Sequence, residues 1–355
     1  MTVRKSLLIA LLFTLCLAAS VSSSPAEPRD SFKNVILVGW DGCAREVLKE
    51  MLVRKELPSL MDIVREGAVV DITVTTGATD TKAGWAQILT GYKPETTGVY
   101  SNRRYQPIPE GMTILERVRR ASGADEVYTA MVIAKKGNLG SEGPRKVPYD
   151  LWLQESAKGE LKELPVEKRL QSINGAIVEE AGQRYVLFPG EPYHFSQKGV
   201  DLFINDLKTN ERVGKLASEI IEKQKENRFI LFVQFAEPDQ AGHRYGEHSK
   251  EYRDAIRLDD EVTGRIVAKL KETGLYARTL IYIVADHGFD AGQKNHTNAP
   301  AVFCATNDNR VRRNGDRADI APTILKRFGI DLETITPRLD GSPLDEAAPS
   351  RLGAY

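Results

Sequence analysis

The sequence predicts an α/β fold: a mostly parallel central sheet with helices on both faces and an inserted cap segment. Three observations predict it. Short continuous apolar runs recur along the chain, amphipathic stretches separate them, and the region from Gly140 to about Gly199 breaks the rhythm. Strands buried on both faces read as unbroken Val/Ile/Leu/Phe runs, and their alternation with helices indicates parallel crossover units.

The first residues are set apart from that pattern. Arg4 and Lys5 precede the uncharged run SLLIALLFTLCLAAS, and small residues follow in VSSSPAEP, the three parts of a secretory signal. A signal peptide over residues 1–26 is expected, with residues 27–355 forming one catalytic domain that carries the insertion at about 140–199. The apolar run of 15 residues is short for a membrane span of about 20. Cys16 follows Leu15 rather than a small residue, which argues against a lipoprotein signal. A secreted or periplasmic destination follows, with no stable membrane span after cleavage.

The strand-like runs are NVILVG (34–39), VVDITVT (69–75), VYTAMVI (127–133), FILFVQF (229–235), TLIYIVA (279–285) and AVFCAT (301–306). Between them lie helical patterns such as AREVLKEMLVRKELPSLMDIVREG and KEYRDAIRLDDEVTGRIVAKLKETG. The 140–199 region, with GSEGPRKVPYD, SAKGELKELPVEKRL and YVLFPGEPYHF, reads as an insertion or cap. Without Arg4 and Lys5 the chain holds 47 basic against 49 acidic residues, a balance that argues against a nucleic-acid scaffold. Cys43 and Cys304 sit in apolar segments and read as small buried hydrophobes rather than a disulfide framework.

In open α/β sheets, ligands sit beyond the carboxyl ends of the strands. Asp41 follows the first run. The stretch TDTKAGWAQILTG, with Thr79 and Thr81, follows the second, and AEPDQAGHRYGEH, with Asp239 and His243 four apart, follows FILFVQF. Asp286 and His287 follow TLIYIVA, and His296 lies shortly before AVFCAT. Singly, each has an ordinary explanation: Asp41 as a helix cap, Asp239 and His243 as a surface pair one turn apart, His287 in the core, His296 in a loop. Together they place three carboxylates and three imidazoles at one sheet edge. That is a donor set suited to Zn²⁺, with Mn²⁺ fitting an oxygen-richer site.

In this order, Asp41, Thr81, Asp239-x-x-x-His243, Asp286-His287-Gly288 and His296 resemble the alkaline phosphatase superfamily, in its type I phosphodiesterase and nucleotide pyrophosphatase branch. The tail GDRADIAPTILKRFGI resembles the closing Asp-Ile-Ala-Pro-Thr helix of those proteins. The resemblance implies an alkaline phosphatase-like domain with two divalent ions, one held by Asp41, Thr81, Asp286 and His287, the other by Asp239, His243 and His296. It also implies that the nucleophile is Thr81, ten residues before Gly91, ahead of the hydroxyls of Thr79 and Thr90, with Asp80 as a cap or supporting group. Coordination to a divalent cation would stabilise the alkoxide of an otherwise weak nucleophile, and a helix amino terminus would add N–H donors for an anionic substrate.

Asn102 occupies the place of an Asn that contacts a nonbridging phosphoryl oxygen in the phosphodiesterase branch. Lys136, in AKKGNLG, resembles the lysine of the sulfatase Gly-Lys-x-x-Leu-Gly stretch, with Lys135 beside it. The expected function is an exported dinuclear-metal phosphoester hydrolase, acting on a small-molecule substrate through a phosphothreonine. A sulfatase of the same fold is the first alternative. Against it stand Thr81 in place of a Cys or Ser matured to formylglycine, and a donor set containing three histidines. A noncatalytic exported binding protein is the alternative of another class, and all seven expected ligands are present.

Overall fold

The computed structural model describes residues 32–157 and 163–345; the expected signal lies outside them. Among the described residues the central sheet has eight strands: β1 (Asn34–Trp40), β2 (Ala68–Thr73), β3 (Val127–Ile133), β7 (Leu202–Ile204), β8 (Arg228–Phe235), β9 (Thr279–Val284), β10 (Ala301–Thr306) and β11 (Gly315–Asp316). A second sheet contains β4 (Arg145–Pro148), β5 (Ala176–Glu180) and β6 (Gln183–Phe188). The order in the large sheet is β11-β2-β10-β9-β1-β8-β3-β7. Every pairing is parallel except those of β10, which runs antiparallel to both β2 and β9.

That single reversal matters for the site. The carboxyl ends of β1, β2, β3, β8 and β9 share one edge, and the amino end of β10 arrives at the same edge. His296, just before β10, therefore meets residues that come just after the other strands. At the sheet centre every residue of β1 is buried, and β9 likewise. Fully burying each such Val, Ile or Leu side chain is worth roughly 1.5–3 kcal/mol.

Helices close both faces: α1 (Arg45–Val53), α2 (Pro58–Glu66), α3 (Thr81–Thr90), α4 (Pro94–Thr97), α5 (Ile114–Ser122), α6 (Tyr149–Ser156), α7 (Val166–Ser172), α8 (Ser196–Gly199), α9 (Asn210–Lys223), α10 (Glu237–Tyr245), α11 (Lys250–Glu272) and α12 (Ile320–Arg327). α3 is buried on all sides, as expected for a helix without a polar face. Asp80 caps its start by accepting from the Ala83 N–H, and Gly91 ends it in the left-handed conformation. Asp260, midway along α11, accepts from the Ser59 and Leu60 N–H groups (3.1 and 2.7 Å) and so caps α2 from another helix.

The small antiparallel sheet β4-β6-β5 lies within the 140–199 region. Its return segment is stitched to the body: Ile108 N–H donates to Pro192 O, and the Lys82 ammonium meets Glu191 at 2.6 Å. Cys43 and Cys304 are buried free thiols. No described helix is long and apolar enough to cross a membrane.

Candidate active site

Two groups of possible metal ligands form at the shared sheet edge. In the first, Asp41, Asp286 and His287 bring their donor atoms within 4.8 Å of one another, and Asp239, His243 and His296 do so in the second. His287 Nε2 lies 3.7 Å from Asp41 Oδ1 and 3.5 Å from Asp286 Oδ2. His243 Nε2 lies 3.4 Å from Asp239 Oδ1 and 3.2 Å from His296 Nε2. The groups adjoin: His287 Nε2 is 3.7 Å from Asp239 Oδ1, and the His287 and His296 rings stack with centroids 4.0 Å apart.

Each imidazole is oriented by its backbone contact. His243 Nδ1 lies 2.9 Å from Lys294 O, His287 Nδ1 2.9 Å from Gly288 O, and His296 Nδ1 2.6 Å from Thr79 O. A carbonyl only accepts, so Nδ1 carries the proton in all three rings and the Nε2 lone pair faces the carboxylates. This is the tautomer a metal ligand requires. Asp239 Oδ1 and Asp286 Oδ2 are buried with no hydrogen-bond partner. Buried carboxylate oxygens are ordinarily satisfied, so these two orphans among Nε2 atoms fit divalent cations.

Two close approaches hold the carboxylates in place. Gly42 N–H donates to Asp286 Oδ1 (3.1 Å), and a Cβ at Gly42, whose φ is +73°, would lie 2.8 Å from the Asp239 Cβ. α3 crosses the Asp286 loop at Gly84, where a Cβ would lie 2.5 Å from the Asp286 Cβ. Asp41 is held by Gln234, whose Nε2 donates to Asp41 Oδ2 at 2.8 Å.

The hydroxyl of Thr81 lies 3.5 Å from His287 Nε2 and is 1% exposed as a residue. The other two hydroxyls are committed to the backbone. Thr79 Oγ1 points to the carbonyls of His296 and Thr297, and Thr90 Oγ1 donates to Ala86 O. Asp80 caps α3 and accepts the Asn102 N–H (2.7 Å) rather than joining either group. Asn102 Oδ1 accepts the Lys82 N–H (2.8 Å), so that helix-end donor is occupied and the Asn102 Nδ2 group is what remains to meet an anion.

Lys136, the lysine expected to reach the oxyanion, is exposed, and Lys135 occupies the cluster instead. Lys135 Nζ lies 2.6 Å from Asp239 Oδ2, 3.1 Å from Asp41 Oδ1 and 3.2 Å from Thr81 Oγ1. The cause is Gln234, whose Oε1 accepts both the Ala134 and Lys135 N–H groups and turns the first lysine of the pair inward. Gln234 is a further residue at this edge that the sequence did not single out. A lone polar residue interrupting the apolar run FILFVQF was the available signal for Gln234.

The electrostatics reflect three crowded carboxylates. Burial alone would raise the Asp239 carboxyl, but Lys135, His243 and His287 hold it far below the usual range. Burial, with Asp41 beside it, pushes Asp286 well up. Burial would lower the Lys135 ammonium, yet Asp41 and Asp239 keep it protonated above the ordinary lysine value. The Asp239 carboxylate beside it raises His243, whereas burial and His287 lower His296.

A mostly parallel sheet of this topology is the fold of the alkaline phosphatase superfamily. The chain superposes on a superfamily protein from Vibrio parahaemolyticus with a TM-score of 0.54 at 15% identity, covering 90% of this chain and 71% of that one. For the alkaline phosphatase of the Antarctic bacterium TAB5 the TM-score is 0.50 at 13% identity, covering 85% and 99%. Within that class the chain belongs to the type I phosphodiesterase / nucleotide pyrophosphatase family, whose sequence profile matches residues 35–334. It is 25% identical to the bis(5'-adenosyl)-triphosphatase enpp4 of Mus musculus over 278 residues, 77% of this chain and 50% of the relative. It is 29% identical to the 2,3-bisphosphoglycerate-independent phosphoglycerate mutase of Clostridium kluyveri over 138 residues, 36% of this chain and 26% of that one. The chain thus spans half or less of the length of these curated relatives.

Proposed function

We propose that this protein is an exported phosphoester hydrolase of the phosphodiesterase/phosphatase type that uses two divalent ions and a covalent phosphothreonine at Thr81. The observation that carries this reading is one juxtaposition: two three-donor groups sharing an edge, with a buried threonine hydroxyl 3.5 Å from a ligand of one of them. Asp41, Asp286 and His287, with Thr81, would hold one ion, and Asp239, His243 and His296 the other; Zn²⁺ suits the mixed set and Mn²⁺ is the alternative. Bound there, the ions would supply Lewis-acid stabilisation of charge on the attacking, leaving and phosphoryl oxygens.

The chain's own residues do the rest. Thr81 Oγ1 attacks phosphorus as the bond to the leaving oxygen breaks, and water then attacks the phosphothreonine to release phosphate or a phosphomonoester. Lys135, charged and 3.2 Å from Thr81 Oγ1, balances negative charge developing at that oxygen. Asn102, its Oδ1 fixed by the Lys82 N–H, presents Nδ2 to a nonbridging oxygen. The substrate class is a small phosphoester or phosphoanhydride, in keeping with the triphosphatase named for the mouse relative.

The Zn²⁺-loaded protein, assayed with p-nitrophenyl phosphate, bis-p-nitrophenyl phosphate, a dinucleotide and p-nitrophenyl sulfate, should turn over at least one phosphoester far faster than the sulfate ester. Preference for the sulfate would replace this reading with a sulfatase, and inactivity on all four would favour a binding protein.

A further inference from the structure

Arg317 is fully buried, yet its guanidinium meets no carboxylate among the described residues at ion-pair distance. Its hydrogen bonds go to backbone carbonyls. Nη1 donates to Asp286 O (2.9 Å) and Ala78 O (3.2 Å), and Nη2 to Thr76 O (2.8 Å) and Ala78 O (3.2 Å). Burial pushes its pKa down to about 10, so it stays charged at neutral pH. A charge buried without a direct ion-pair partner is costly even with Asp316, Asp286 and Asp80 nearby, and a neutral side chain would fill the space more cheaply. What the guanidinium does that an apolar residue cannot is to bridge two chain segments with a planar fork.

Those segments carry the site. Residues 76–80 lead directly into Thr81, and the Thr79 carbonyl within them accepts from His296 Nδ1. The other segment is the Asp286–His287 loop. Arg317 is itself anchored: Asp316 Oδ2 accepts the Thr75 N–H (3.2 Å), and Asp316 and Asp319 form a reciprocal cap around the turn Arg317–Asp319.

We propose that Arg317 is a positioning residue for phosphoryl transfer, clamping the segment that delivers Thr81 against the backbone of the Asp286 loop and thereby setting the nucleophile's place relative to both donor groups. This rests on Thr81 being the nucleophile. Misplacing a reacting group by about 1 Å can cost on the order of 100-fold in rate, so a loosened clamp acts on kcat rather than on substrate affinity.

The test compares wild type, R317K and R317A, each Zn²⁺-loaded, by thermal melting, metal content and steady-state kinetics on the best phosphoester. Lysine keeps the charge but cannot span both segments. Expected for R317K is a folded protein with wild-type metal content, KM within about twofold and kcat down roughly 10- to 100-fold. Guanidinium at millimolar concentration should restore part of the kcat of R317A but not of a Thr81→Ala control. A kcat within twofold of wild type in both variants overturns the clamp, as does a loss that appears wholly in KM or metal content. Failure of both variants to fold also overturns it, making Arg317 a stability residue only. Inactive wild type would instead overturn the hydrolase reading beneath it.

Discussion

Thr81 and Lys135 show what one residue's surroundings decide. Thr79 and Thr90 spend their hydroxyls on backbone carbonyls, whereas Thr81 faces His287 and Lys135. Thr81→Ala should leave fold and most metal binding intact while lowering turnover by several orders of magnitude, and Thr81→Ser should retain partial activity, since only a methyl is lost. Rapid quench with a labelled phosphoester checks this: label belongs on the Thr81 peptide, and label elsewhere refutes the assignment. For the lysine pair, K135A should reduce kcat by at least tenfold and K136A should change it less than twofold, read from parallel kinetics. Strand-end placement made the juxtaposition of Asp41, Asp239, His243, Asp286, His287 and His296 legible, while Thr81 was singled out by the family resemblance. The choice between Lys135 and Lys136 was not legible, because it turns on Gln234, about 100 residues away, holding the Lys135 backbone.

At the scale of elements, the apolar runs announced β1, β3, β8, β9 and β10 because strands buried on both faces need unbroken hydrophobic sequence. β4, β5 and β6 were not legible individually: β4 has only four residues, and β5 and β6 are exposed or half-buried along most of their length, so period and hydrophobicity carry little signal there. Arg317 was opaque for a different reason. Its partners are carbonyls of a segment some 240 positions away, and a carbonyl has no sequence signature. The contact between α3 and the Asp286 loop gives the element-scale prediction. Because the Cβ added at Gly84 would meet the Asp286 carbonyl oxygen at 2.7 Å as well as its Cβ, G84A must push the helix away from the loop. It should cost about 1–3 kcal/mol in stability, measurable by denaturant unfolding, and lower kcat along with it. Unchanged stability and kcat would show that the approach is looser than the geometry implies.

Over the whole molecule, the sheet edge opposite the candidate site, beyond the carboxyl end of β10, carries a charged network. Asp308 accepts from Arg310 Nε (2.9 Å), Arg327 Nε (2.5 Å) and Tyr282 OH (2.7 Å). Burial alone would raise its carboxyl, but Arg310 and Arg327 lower it below the ordinary value. A depressed folded-state pKa contributes stability that is present above the unfolded pKa of about 3.9 and is lost as pH falls through the folded value. D308N should therefore be less stable than wild type by about 3 kcal/mol at pH 7, with the gap narrowing below about pH 4, as urea unfolding across pH would show. A gap independent of pH would mean that packing rather than charge holds this corner.

For the molecule as a whole the central proposal is that three parallel strands, β1, β8 and β9, and the reversed β10 bring two groups of possible metal ligands to a single edge beside Thr81. Anomalous scattering at the zinc edge from crystals of the Zn²⁺-saturated protein tests it most directly. The expected result is two peaks about 4 Å apart, one against Asp41, Asp286, His287 and Thr81 Oγ1, the other against Asp239, His243 and His296. A single peak, or zinc bound away from these residues, would contradict it.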